Sequence, residues 1–219
     1  DIKHGLAFND LHFDIITDVY ISHLHADHVG GLEWLCFLKQ YSSAVQKKLK
    51  LWISEDLVAP LWENSLKGGL EYLTVEQGAL DVFFDVFSVA LGGEFEWQGA
   101  RFSLIPIKHI VGPVGVMPCY GLFIEWAGNR IFFTADTQYD PEHLQPYYNR
   151  ADIIFHDCET VVHPTGVHAH FNELRQLDCE TKSKMWLYHY SSGKLPDLGK
   201  GDGFKGFVKT GQIFDFSSG

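Results

Sequence analysis

The chain has 219 residues, 46% hydrophobic and 15% aromatic, enough apolar material for the core of one globular domain spanning 1–219 and too much for a disordered or fibrous chain. Its 28 acidic residues against 17 basic ones give a formal charge of −11, a field that repels long polyanions and argues against extended nucleic acid as a partner. No run reaches the roughly 18 apolar residues of a spanning helix, and Asp1-Ile2-Lys3-His4 lacks the start of a signal peptide, so no membrane partner and a cytoplasmic location are expected.

In chain order, the β-branched run 16–22 predicts a strand, followed by a histidine-rich turn and a helix that restarts at Val29. Leu49 to Ile53 predicts a strand, with Ser54 as the N-cap of a helical stretch that breaks at Gly68-Gly69. Residues 79–90 are apolar and aromatic. Residues 102–107 predict a strand, and 120–126 and 130–134 predict a hairpin closed at Gly128-Asn129. Short strands are expected at 151–155 and 185–188. Strands and helices alternate without repeats or linkers, which indicates an α/β class. His23, His109, Asp136, His156 and His189 each fall near the C-terminal end of an apolar strand, the edge where α/β folds assemble sites. Four cysteines, at 36, 119, 158 and 179, have neither disulfide density nor CxxC spacing and are expected to be inert thiols.

Histidine is over-used, at 12 copies, and His23-Leu24-His25-Ala26-Asp27-His28 packs four ligand groups into six residues. Chance matches to this pattern would arise on the order of a few times per thousand chains of similar composition. Four groups on one tight loop are hard to aim at one tetrahedral ion, whereas two can serve each of two ions about 3.5–4 Å apart. Imidazole and carboxylate without thiolate suit Zn first, with Mn, Fe or Co as alternatives.

With this loop in hand, the chain resembles the metallo-β-lactamase superfamily from about Ile16 to Tyr190, which implies a four-layer αββα sandwich. The loop is followed by an isolated His109, a carboxylate at Asp136 and a last His189, the order of ligands in that superfamily. The resemblance implies that His23, His25 and His109 hold one metal, Asp27, His28 and His189 the other, and that Asp136 bridges them, with Asp27 also a candidate catalytic residue beside His168 and Asp157. Superfamily members carry several strands ahead of the loop, and only 22 residues precede His23, so early strands are expected to be missing from this sequence.

A second cluster, His156-Asp157-Cys158-Glu159 and then His163, His168 and His170, is similar to the phosphodiesterase branch that includes tRNase Z. By that resemblance His168 is a candidate general acid oriented by Asp157. His170 stands where a Ser or Thr cap opens a helix, and His156 and His170 are candidate substrate-binding residues. The expected reaction is attack of metal-bound hydroxide on a phosphodiester, with histidine protonating the leaving oxygen. Only 26 residues separate His109 from Asp136, leaving no room for the basic arm with which tRNase Z grips tRNA, and the one short basic cluster is Lys47, Lys48 and Lys50. A small phosphodiester is therefore expected. Within the branch the chain is most similar to the anti-Pycsar cyclic-nucleotide phosphodiesterases, which implies a cyclic nucleotide substrate, a homodimer as an option, and host cytoplasm for a phage-encoded member. The alternatives are RNA 3′-end processing of the tRNase Z type and thioester or lactone hydrolysis. A scaffold that has lost its metals fits poorly with seven retained ligand positions.

Overall fold

A computed structural model describes residues 1–42, 48–199 and 201–216. Lys47 of the basic cluster lies outside the described residues. The chain divides into two compact units, 1–91 and 92–219.

The first unit opens with helix α1 (Ile2–Phe8), capped by the Asp1 side chain, and a 3₁₀ turn at Phe13–Ile15. Its sheet has three parallel strands in the order β1 (Asp18–Ile21), β2 (Leu49–Ser54) and β3 (Phe84–Val89). Parallel neighbours need crossovers, and helices supply both. The first contains the short α2 (Ala26–Val29) and α3 (Leu32–Tyr41), and the second runs from Glu55 to Leu70 before α6 (Leu80–Phe83). That long segment is α4 (Glu55–Leu61), a π-helical turn at Trp62–Leu66 and α5 (Lys67–Leu70). Pro60 removes one backbone donor inside it, and the wider π turn follows directly. The expected break at Gly68-Gly69 does not occur. Gly69 is helical, and a Cβ there would stand 2.3 Å from the Glu33 side chain, so its missing side chain permits close packing instead of ending the helix. Ser54 is the N-cap by position but makes no side-chain cap bond.

The second unit holds a seven-stranded sheet. Its strands are β4 (Glu94–Trp97), β5 (Ala100–Pro106), β8 (Tyr120–Trp126), β9 (Asn129–Phe133), β10 (Ile153–Asp157), β11 (Met185–Tyr188) and β12 (Gly206–Phe207). A two-stranded ribbon of β6 (Val111–Gly112) and β7 (Gly115–Val116) stands apart. The spatial order is β12-β11-β10-β9-β8-β5-β4, with β9 to β12 parallel and β4, β5, β8 and β9 antiparallel in turn. Helices α7 (Pro141–Arg150), α8 (Phe171–Leu174) and α9 (Cys179–Ser183) fill the connections. The core gathers Phe123, Phe132, Leu144, Tyr148, Ile154, Leu174, Met185 and Leu187.

The β8–β9 hairpin closes one residue earlier than the sequence suggests. Trp126 pairs with Asn129, and the two turn residues are Ala127 and Gly128, at φ +49° and +82°. Positive φ at both positions is the geometry that matches the twist of the strands, and Ala127 accepts the cost that glycine beside it avoids.

Candidate metal centre and its histidine–aspartate pair

In the first unit, β1 ends at Ile21 and the ligand loop begins two residues later. The single turn of α2, opened by His25 at its N-cap, gathers the rings of the motif. His23 Nε2 lies 3.1 Å from His25 Nδ1, and the His23 and His28 rings are 4.0 Å apart. Ser22 Oγ stands 3.1 Å from His23 Nδ1. His28 Nε2 is 3.3 Å from Asp27 Oδ2, and this pair is more exposed than the buried His23. Three imidazoles converge because the backbone turns within six residues.

In the second unit the sheet does the gathering. Phe133 on β9 is level with Phe155 on β10, and Asp157 is level with Tyr188 on β11. Three parallel neighbours therefore deliver Asp136, Asp157 and His189 to one edge, the carboxyl edge where α/β sheets place their sites. β5 runs in the same sense, being antiparallel to β8, and leads to His109. His156 is the penultimate residue of β10, near the strand end as expected, and its side chain is fully buried.

Asp136 and Asp157 are almost completely buried. His109 Nε2, His168 Nδ1 and His189 Nε2 lie 3.9, 4.0 and 3.6 Å from Asp136 Oδ2. Asp157 Oδ2 accepts from His168 Nδ1 at 2.7 Å and from the Thr137 backbone N–H at 2.8 Å, while Oδ1 faces His189 Nδ1 at 3.4 Å. The His168 ring stacks on His189 at 4.7 Å and tilts against His109 at 4.9 Å. Burial pulls the His168 imidazole down, but the hydrogen bond and charge of Asp157 push it up, and the net direction is up.

The backbone supporting these groups is strained. Ala135 and His189 both sit at positive φ, +52° and +62°. Ala135 is held there by Tyr188, whose hydroxyl donates to its carbonyl at 2.7 Å. Non-glycine residues in this region cost on the order of 1–2 kcal/mol each and persist where the surroundings over-determine them. Tyr188 is a support that sequence reasoning missed, since nothing in Met185-Trp186-Leu187-Tyr188 distinguishes it from an ordinary strand aromatic.

His156 and His170 are engaged within the protein. His156 Nδ1 donates to the Asp157 carbonyl at 2.6 Å and Nε2 accepts from the Tyr148 hydroxyl at 2.7 Å. Burial lowers its pKa, so it stays neutral. His170 is the N-cap of α8. Its Nδ1 accepts from the Asn172 N–H, its Nε2 donates to the Val161 carbonyl, and Glu173 completes a capping box.

The donor set fits a divalent ion. Asp136, Asp157, His168 and His189 gather nitrogen and oxygen atoms within 4.8 Å of one another, and since His168 and Asp157 bond each other at 2.7 Å, Asp136 and His189 are the members that suit a divalent ion. Cys119 donates its thiol to the Asp136 carbonyl at 3.4 Å, and burial pushes its pKa up, so it stays a thiol. Cys36 and Cys158 are likewise buried, with pKa values raised by burial, and Cys179 is exposed. Among the described residues no helix is long and apolar enough to cross a membrane.

Comparisons with known proteins identify the fold and the family. The backbone is similar to the metallo-β-lactamase fold protein YhfI from Bacillus subtilis, with a TM-score of 0.62 at 18% identity over 93% of this chain and 77% of that one. It is also similar to human tRNase Z, short form, with a TM-score of 0.60 at 15% identity, covering 87% of this chain and 78% of that one. These likenesses establish the metallo-β-lactamase fold. In sequence, the chain is 38% identical over 188 residues to the Anti-Pycsar protein Apyc1 of Paenibacillus harenae, covering 85% of this chain and 71% of that protein. Fold, His/Asp clusters and relatives together support a metal-dependent hydrolase. Residues 1–214 match the family described as Anti-Pycsar protein Apyc1, and with identity of that extent the chain belongs to this family.

Proposed function

We propose that the protein is a two-metal phosphodiesterase that hydrolyses a small phosphodiester, with a cyclic nucleotide as the first choice. The observation that carries this reading is the 2.7 Å bond from His168 to Asp157 beside Asp136 and His189, since lactone or thioester hydrolysis has no need of such a second pair.

In this reading the seven residues of the ligand order are His23, His25 and His109 for one ion, Asp27, His28 and His189 for the other, and Asp136 between them. Zn is the first choice of metal and Mn, Fe or Co the alternatives. Two divalent ions would neutralise the phosphodiester oxygens and lower the pKa of water toward neutrality. Donation of Nδ1–H to Asp157 leaves Nε2 of His168 to give a proton to the leaving oxygen. Asp157 holds the ring in that tautomer and favours its protonated form, and Thr137 N–H keeps the carboxylate in place. His156 and His170 are reassigned from substrate contacts to supports, because both ring nitrogens of each are bonded within the protein. A homodimer and a cytoplasmic setting, the host's where a phage encodes it, accompany this reading.

The test is a substrate panel of cyclic mononucleotides, bis(p-nitrophenyl) phosphate, a precursor tRNA and a lactone, with and without chelator. Chelator-sensitive turnover of a cyclic mononucleotide is expected. Efficient cleavage of precursor tRNA with cyclic mononucleotides untouched would overturn the reading in favour of RNA processing.

A further inference from the structure

Glu159, two residues beyond the end of β10, keeps its carboxylate in a nearly buried position although the chemistry above makes no use of it. Both oxygens are engaged by a single residue: Oε1 accepts the Thr165 backbone N–H at 2.8 Å and Oε2 accepts the Thr165 hydroxyl at 2.7 Å. Charge-assisted bonds of this kind, paired on one carboxylate, fix direction as well as distance. Two residues further on, the Val167 carbonyl accepts from Nδ1 of His109 at 2.8 Å. A carbonyl only accepts, so this bond selects the Nδ1–H tautomer of His109 and leaves Nε2, the nitrogen 3.9 Å from Asp136, with its lone pair. The backbone of Glu159 grips the other side of the same segment, its N–H bonding the Ala169 carbonyl and its carbonyl accepting from Phe171 N–H. Residues 160–167 are otherwise exposed or half-exposed, with a glycine at positive φ at 166.

We propose that Glu159 is a positioning residue: by clamping Thr165 it holds the Val167 carbonyl against His109 and so fixes the ring whose other nitrogen is offered as a ligand. The role rests on the two-metal reading given above. Removing partners that orient a metal-binding histidine costs about 10–100-fold in metal affinity, which sets the scale of the effect.

The experiment uses Glu159→Ala, Glu159→Gln and Thr165→Val in the full chain. Long-range imidazole NMR on the metal-free protein reads the His109 tautomer, and zinc titration against a chromophoric chelator reads affinity. Wild type is expected to show a single Nδ1–H tautomer. Glu159→Ala is expected to show a mixture of tautomers and about 10–100-fold weaker zinc at one site. Glu159→Gln is expected to recover most of the loss, because its amide retains an acceptor for the Thr165 N–H and offers a donor to the hydroxyl. Thr165 is exposed, so Thr165→Val keeps the fold and guards against a variant that merely unfolds. It is expected to shift both readouts in the same direction as Glu159→Ala, with a single cooperative thermal transition showing that the chain is still folded. Wild-type tautomer and affinity in both Glu159→Ala and Thr165→Val would overturn the clamp. Absence of zinc binding in wild type would instead overturn the two-metal reading, while the tautomer readout still decides the clamp.

Discussion

His168 and His189 stack 4.7 Å apart and share the neighbourhood of Asp136 and Asp157, yet the reading gives them different tasks. The distinction rests on partners: His168 Nδ1 donates to Asp157 at 2.7 Å, whereas His189 turns Nε2 toward Asp136 at 3.6 Å, longer than a hydrogen bond and wide enough for both atoms to serve one ion. His168→Ala is expected to lower kcat by roughly 10²–10⁴, the range of a lost general acid, with metal content near wild type by elemental analysis. A parallel loss of metal would make His168 a ligand. Asp136→Ala is expected to leave at most one ion per chain, because without a carboxylate between them two like charges repel at close range. Full occupancy by two ions in that variant would remove Asp136 from the bridging position.

At the scale of elements, the site depends on strands meeting at one edge, and β8 shows how closely they are fitted. A Cβ on Gly121 would stand 2.6 Å from the Phe133 carbonyl oxygen and 2.9 Å from that of Thr134, both backbone and unable to move away cheaply. Gly121→Ala is expected to destabilise by about 1–3 kcal/mol and to lower Tm by roughly 3–10 °C in thermal unfolding. The cap of α8 makes a second check. His170→Ala is expected to cost about 1 kcal/mol while His170→Ser restores it, and neither should change KM if the ring supports the helix and does not touch substrate. The strand expectations at 49–53, 120–126 and 185–188 agree with the structure because β-branched and aromatic runs there are bounded by polar or turn residues. Gly68-Gly69 misled because glycine marks either a break or a close contact, and only the packed neighbour Glu33 decides between them. The N-cap at His170 was legible from its place before Phe171-Asn172-Glu173, where Glu173 supplies the reciprocal half of the capping box. The ligand loop was legible from a local motif. The bonds that hold Asp157, His109 and Thr165 join residues 20 to 58 positions apart or turn on side-chain direction, and local pattern carries no such information.

For the whole molecule, charge bears on both stability at low pH and the proposed substrate. Asp152, hydrogen-bonded to Arg130, and Asp178, capping α9 at Thr181, have pKa values held below the usual carboxylate range. A depressed folded-state pKa contributes stability that is complete above the unfolded value of about 3.9 and is lost as pH falls through the folded one. Stability is therefore expected to decline below about pH 4, and Asp152→Asn should flatten that decline in urea titrations run at successive pH values. The formal charge of −11 bears on the substrate. A tRNA-sized ligand needs several phosphate contacts, each adding to a steep fall of affinity with salt, and the sequence offers neither a basic arm nor a positive net field. A cyclic nucleotide carries a single negative charge, which two divalent ions can hold locally without help from the surface. Turnover of a cyclic mononucleotide is thus expected to change by only about two- to four-fold between roughly 50 and 200 mM salt, as a single screened contact allows. Precursor tRNA in the same assay is the contrast: efficient cleavage that falls by about 10³ or more over that range would mean that many phosphates are gripped at once, and the substrate would then be a polynucleotide.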